Sequence, residues 1–357
     1  MYNIVIYPYD ETIKNTLSHI NDDIFKIVGI VSPKGWGYYG RLLEIREEKI
    51  IVKANFSEIG EEFDGICFVN SRFQLNFENY FLPILMECRK RNKEVFWCRE
   101  YDEKELNIVK SYISDEKLHS IISDKPMLDA GQMVYDIGTP VVFIVDIFAG
   151  LNVYDFQFYI YEELKKRGYA TKLISSRKEM GLVESIDTIP EFLFSNYCSI
   201  KEKIIKINQY IKMLEVIENP DLIVMGIPGN LFEVSKKLMG DFGSSAYLIT
   251  RSICPDYVIC NIPYFADFEN KYEYLGGFVE KRLETRVDAY NVVAKYMDVL
   301  ASEGRREFDY LSLPMEFVEE RIKMNEKVYC LQKRSEISRI VNDIIFKLES
   351  YAEIELM

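Results

Sequence analysis

Residues 138–157, GTPVVFIVDIFAGLNVYDFQ, put an unbroken apolar run, a short loop and the start of a helix in direct succession. Five apolar residues from Val141 to Val145 read as a strand covered on both faces, and such strands belong to parallel sheets with helical crossovers. This is the layout of a phosphate-binding loop, but the gripping residues are missing. A phosphate site needs glycines that let backbone N–H groups converge, a lysine for charge and a Ser/Thr hydroxyl for magnesium. Here Gly150 alone supplies backbone freedom, no Gly-Lys-Ser/Thr closes the loop, and Asp155 stands near the lysine position.

Magnitudes decide what that exchange means. Two unit charges about 4 Å apart interact by about 4 kcal/mol at an effective dielectric of 20. Replacing an attractive lysine by a repulsive aspartate therefore costs several kcal/mol of phosphate affinity. The helix dipole at Tyr154 returns only about 0.3–2 kcal/mol. Repulsion wins unless a cation intervenes, and Asp146 with Asp155 is the pair that would hold magnesium. The plainer reading makes Asn152 a helix cap and Asp155 a first-turn residue.

Two further segments repeat the mismatch. Residues 220–230, PDLIVMGIPGN, give a strand and a Gly-rich loop through Pro228, Gly229 and Asn230, but the strand ends in Met225-Gly226 where an acidic magnesium ligand is expected. A simple Pro-Gly turn opening a helix at Leu231 is the alternative. Residues 255–264, PDYVICNIPY, keep Asn261 where guanine-nucleotide proteins carry Asn-Lys-x-Asp, without the Lys and Asp. Three nucleotide contacts fail independently. Near the N-terminus, Pro8 to Thr12 follows the first strand without a glycine, which disfavours a dinucleotide pyrophosphate.

The chain has 357 residues, 48% hydrophobic, with 25 Tyr and 22 Phe, enough for two aromatic-rich cores. A formal charge of −13 argues against nucleic acid or an anionic membrane. No run of 18 apolar residues exists and the first ten residues lack a basic n-region, so the expected location is the cytoplasm. Of seven scattered cysteines without C-x-x-C, most read as buried thiols. Cys98-Arg99 is the exception to weigh, because a cation lowers a thiol pKa. With two histidines, His19 and His119, a His-rich metal site is excluded.

Strand and helix patterns divide the chain into a Rossmann-like α/β domain over 1–117, a connector over 118–137, a degenerate P-loop-like α/β domain over 138–300 and a helical C-terminal segment over 301–357. The fold class is thus α/β with two doubly wound, mostly parallel sheets. In the second domain, strands are expected at Val141–Val145, Ala170–Ile174, Leu222–Met225, Ala246–Ile249 and Tyr257–Cys260. Helices are expected at Tyr154–Arg167, Lys201–Ile217 and Leu231–Met239. In the first, Trp36 in Ser32 to Gly37 is either a ligand-stacking residue or a cover for the core.

The three segments, with Gly168-Tyr169 and residues 201–208 (KEKIIKIN), resemble clostridial peptide maturation system proteins, which accompany radical SAM maturases of ribosomally made peptides. The resemblance implies a role beside a precursor peptide and its maturase and brings no settled reaction; the retained architecture with its missing phosphate ligands points to an accessory or scaffold protein without catalysis or a cofactor. The second domain is also similar to nucleotide-binding proteins that dimerise over their phosphate sites, which implies a homodimer. Two alternatives stand beside this: a nucleotide- or magnesium-dependent enzyme with an atypical phosphate loop, and a small-ligand sensor. The residues carried forward as ligand-binding are Asp146, Gly150, Asn152, Tyr154, Asp155, Pro228, Gly229, Asn230 and Asn261.

Overall fold

The structure, a computed structural model, describes the chain apart from residues 61, 72–74, 100–102, 121–130, 132, 152–153, 196–197, 267, 307, 323–325 and 356–357. It divides into two compact units, one of residues 1–123 and 177–188, the other of residues 124–176 and 189–357.

The first unit runs β1 (Tyr2–Tyr7), α1 (Lys14–Leu17), β2 (Phe25–Val31), β3 (Leu42–Ile45), β4 (Glu48–Lys53), β5 (Gly65–Val69), α2 (Phe77–Tyr80), α3 (Leu82–Lys90), β6 (Glu94–Cys98), α4 (Glu103–Tyr112) and β7 (Leu118–Ser120). The strand order is β3-β4-β2-β1-β5-β6-β7, parallel except for the β3–β4 hairpin. Alternate residues of each central strand feed cores on opposite faces. Ile4, Ile6 and Cys67 join one core, while Val5, Tyr7 and Phe68 join the other. Trp97, Phe68 and Phe81 pack in tilted pairs with centroids 5.0–6.3 Å apart. Each such ring contributes about 1.5–3 kcal/mol by burial.

Several details differ from the sequence expectation. Residues 12–20 carry a helical pattern, of which the structure keeps only the four residues of α1. The helix expected over Phe77 to Arg91 is broken at Phe81, because Pro83 sits in the first turn of α3 and has no N–H to give. Trp36 is half-buried against the core. Cys98 is fully buried, and burial pushes its thiol well above the usual range. Arg99 instead pairs with Glu105 at 2.9 Å and lies over the Phe81 ring.

The second unit begins with β8 (Val141–Asp146), α5 (Tyr154–Lys166) and β9 (Thr171–Ser175). The chain then returns to the first unit over residues 177–188, ending in β10 (Ile186–Thr188). Leu182 enters a first-unit core and its carbonyl accepts from the Asn21 N–H at 3.0 Å. Arg177 pairs with Glu179, and both are buried. Arg177 Nη1 also donates to the Thr12 carbonyl at 3.1 Å, and Asn70 Nδ2 to Glu179 Oε2 at 3.3 Å.

The remaining elements are α6 (Ile200–Glu218), β11 (Leu222–Gly226), α7 (Ser244–Ser252), β12 (Tyr257–Pro263), α8 (Phe268–Leu283), β13 (Ala289–Val293), β14 (Lys295–Met297), α9 (Val299–Arg305), β15 (Tyr310–Ser312), α10 (Met315–Glu319), β16 (Val328–Tyr329) and α11 (Arg334–Glu355). Ser199 and Glu202 close a capping box on α6, and Asn219 ends it in the left-handed region. Strands run β9-β11-β8-β12-β13-β16, all parallel. The order reverses at β8, so its carboxyl end is the switch point where open α/β sheets hold ligands.

Two expectations are corrected here. Ala246–Ile249 is not a strand but the middle of α7, and no helix covers Leu231–Met239. A four-residue apolar run cannot separate the two states by periodicity. Positive φ at Gly240 and Gly243 keeps the preceding loop irregular and delays the helix to Ser244. The C-terminal region is largely helical, but it also delivers β15 and β16. No helix among the described residues is long and apolar enough to cross a membrane.

Removing one member of a buried ion pair strands the other charge. Glu179→Ala should destabilise the first unit by about 3–5 kcal/mol. Both tryptophans, Trp36 and Trp97, lie in that unit, so their fluorescence in a urea titration isolates its transition. An unchanged midpoint would refute the assignment.

Candidate functional site

The carboxyl ends of β8, β12 and β13 carry a buried chain of polar groups. The Leu331 N–H donates to Asn291 Oδ1 at 2.9 Å. Asn291 Nδ2 donates to Asn261 Oδ1 at 2.7 Å, and Asn261 Nδ2 to Asp146 Oδ1 at 2.9 Å. The direction of this chain is forced. A backbone N–H can only donate, so each amide must turn its oxygen toward Leu331 and its nitrogen toward Asp146. Asn261 and Asn291 are fully buried and Asp146 nearly so. Parallel pairing sets Asn261 opposite both Asp146 and Asn291, which is why three side chains, one per strand, can meet.

Burial raises the Asp146 carboxyl from 3.8 to about 7. The Asn261 hydrogen bond and the charge of Lys295 oppose that rise without cancelling it. Desolvation wins because one amide donor and a cation replace only part of the water a carboxylate loses.

The loop after β8 is closed by the protein's own side chains. Ile147 N–H donates to the Asn261 carbonyl at 3.0 Å. The β14–β15 hairpin then covers the loop's crest. Tyr310 Oη donates to the Ala149 carbonyl at 2.6 Å, and Lys295 Nζ to the Leu151 carbonyl at 2.9 Å. Gly150 has φ +80°, and a Cβ there would stand 3.3 Å from the Tyr310 ring. A phosphate loop offers N–H groups to an oxyanion; this one is pinned through its carbonyls by a phenol and an ammonium.

The neighbouring loops follow the same pattern. Gly226 ends β11 at the position expected to be acidic, and a Cβ there would fall 2.3 Å from the Gln157 amide. Gln157, on the buried face of α5, bonds Ser175 and Ser176, both at 3.1 Å. Pro228 to Asn230 is tied to Asp241. Asn230 N–H donates to Asp241 Oδ1 at 3.2 Å, and Asp241 N–H returns to Asn230 Oδ1 at 3.0 Å. Gly229, at φ +84°, leaves room for the Asp241 carboxylate, which also accepts from the Gly243 and Ser245 N–H groups. Asp241 thus anchors the approach to α7.

Of the residues singled out from sequence, the structure joins Asp146 to Asn261. It places Gly150 under Tyr310, and Pro228, Gly229 and Asn230 in the Asp241 loop. Asn152 lies outside the described residues, as does the side chain of Tyr154, whose backbone opens α5. Asp155 is half-buried in the first turn of α5, where its charge reinforces the burial that raises the Tyr159 phenol. Among the described residues, no group of three or more His, Cys, Asp or Glu side chains is arranged to hold a metal ion. Sequence reasoning missed Asn291, Lys295 and Tyr310. The signal was there in part, since AYNVV at 289–293 is an apolar strand pattern broken by one amide.

No family model matches the chain, and no curated protein matches it. Among solved structures, a DUF1611 family protein from Anabaena variabilis aligns with a TM-score of 0.61 at 10% identity, over 96% of this chain and 99% of that one. The likeness is one of fold. The signal recognition particle receptor FtsY from Elizabethkingia anophelis aligns at TM-score 0.30 and 13% identity, over 54% of this chain and 59% of that one. Chloroplast FtsY from Physcomitrella patens aligns at 0.29 and 11%, over 62% and 74%.

Three variants test the site's construction. Asp146 keeps its proton in the folded state up to about pH 7, while the unfolded chain loses it near 3.8. The folded state therefore binds more protons between those values. Stability falls as pH rises through that window, by about 1.4 kcal/mol for each pH step of one. Asp146→Asn can still accept from Asn261, so it should match the parent at pH 4 and exceed it at pH 8 in thermal melts. Equal stability gains at both pH values would contradict this. Gly226→Ala should cost about 1–3 kcal/mol by overpacking, with part recovered in Gly226→Ala/Gln157→Ala. Calorimetry of the two variants reads the coupling.

Proposed function

We propose that the protein is a non-hydrolysing accessory or scaffold in the maturation of a ribosomally made peptide, binding the precursor peptide or its radical SAM maturase. One observation carries the non-hydrolysing part. The loop after β8 is held by Tyr310 and Lys295 through its own carbonyls. To accept a triphosphate, the loop would have to break both hydrogen bonds, and Asp155 stands near the position where a lysine would meet the phosphates. The peptide context rests on the resemblance of the three strand-loop segments, Gly168-Tyr169 and residues 201–208; a homodimer rests on the separate similarity to dimerising nucleotide-binding proteins, and a cytoplasmic location on the sequence's lack of a long apolar run or basic n-region. The fold shared with the DUF1611 family protein is compatible with this and does not specify it.

A second reading is favoured by one observation, the Asp146 carboxyl poised at about 7 at the switch point. A group that titrates near neutrality can take or give a proton in a general acid–base step. In that reading the protein is an enzyme and Asp146, polarised by Asn261 and faced by Lys295, moves the proton. Magnesium on Asp146 is the weaker form of it, because a metal ligand must be ionised and this environment favours the neutral acid.

Calorimetry separates the readings. The accessory role predicts no saturable heat with ATP or GTP up to about 1 mM, with or without magnesium, and binding of the cognate precursor or maturase at about 10–50 μM. Nucleotide binding abolished by Asp146→Asn would overturn it in favour of the enzyme.

A further inference from the structure

Within the first unit, a cleft of about 500 Å³ opens beyond the carboxyl ends of β1, β2 and β4, bounded on its other side by α3. Its size falls in the range of about 300–1,000 Å³ typical of small-molecule sites, and its position is where open α/β sheets hold ligands. Val31, Phe56 and Ile84 supply apolar wall. Three charged residues line it: Lys34, Arg91 and Glu87, which leave one net positive charge.

The cations are incompletely partnered. Arg91 Nε donates to Glu87 Oε1 at 2.6 Å, and the guanidinium lies 5.6 Å from the Phe56 ring centre. Arg91 Nη1 is buried without a hydrogen-bond partner. Native folds seldom leave a buried donor unmatched, since its desolvation is not offset. Lys34 is exposed and makes no ion pair among the described residues. Tyr7 Oη, by contrast, is already engaged with the Tyr80 carbonyl at 3.1 Å.

We propose that this cleft binds a small monoanionic carboxylate with an apolar or aromatic body. The carboxylate takes the Arg91 guanidinium and the Lys34 ammonium, and the body lies on Phe56 and Ile84. Fork-shaped guanidinium donors match a carboxylate's two oxygens. One negative charge balances the cleft, whereas a phosphate dianion would add repulsion from Glu87. This site is independent of the second unit's function and stands or falls separately from it.

The test titrates the full chain with N-acetylphenylalanine, its neutral amide, and inorganic phosphate, read by saturation-transfer NMR and calorimetry. The acid should bind saturably with a dissociation constant of roughly 0.1–1 mM, and the amide should bind at least about tenfold more weakly. Phosphate should not compete. Arg91→Gln should weaken the acid about tenfold. Lys34→Gln, in an exposed loop where folding is not at stake, should weaken it by a smaller factor. Equal binding of acid and amide, wild-type affinity in both variants, or no binding of the acid up to about 10 mM would overturn the proposal. Phosphate competing through Arg91 would overturn the carboxylate assignment.

Discussion

The second unit is organised around a polar chain that has only one possible direction. The Leu331 N–H orients Asn291, Asn291 orients Asn261, and Asn261 presents a donor to Asp146. Each link joins neighbouring parallel strands, so the chain also fixes how β8, β12 and β13 end relative to one another. A buried polar network of this kind stabilises only when every member is satisfied. Here a backbone donor at one end and a carboxyl at the other complete it. The carboxyl stays neutral to about pH 7 because burial outweighs the one donor the chain supplies and the charge of Lys295.

Around that chain, glycines mark where the protein's own side chains have moved in. Gly150 admits Tyr310, Gly226 admits Gln157, and Gly229 admits Asp241. In each case a Cβ would crowd a side chain from elsewhere in the unit. The space at the switch point is thus occupied from within.

Much of this was legible in the sequence, and the failures have physical causes. Apolar runs such as YNIVIY, FKIVGIV and GICFV mark β1, β2 and β5 to the residue. Buried parallel strands have no polar alternation to confuse them. Ala246–Ile249 misled because a short apolar run fits either a strand or the buried face of a helix, and only the Asp241 anchor decides. β3 was hidden because its residues alternate between exposed and buried beside a charged turn. At the site, Asp146 and Asn261 were visible as loop-end residues. Lys295 and Tyr310 were not, because they reach the loop from two three-residue strands, β14 and β15, that pair across α9 and are too short to mark themselves by pattern. The return of residues 177–188 to the first unit depends on Arg177, Glu179 and Leu182 finding partners far away in sequence, which no local pattern encodes.

The central claim is that burial holds Asp146 neutral while a one-directional amide chain donates to it. Carbon-13 NMR of the Asp146 carboxyl, assigned by comparison with Asp146→Asn and followed from about pH 3 to 9, measures this directly. The account predicts a titration midpoint near 7, and a higher one in Asn261→Leu, where the donor is gone. A midpoint near 4 in the parent protein, or no upward change in Asn261→Leu, would contradict it.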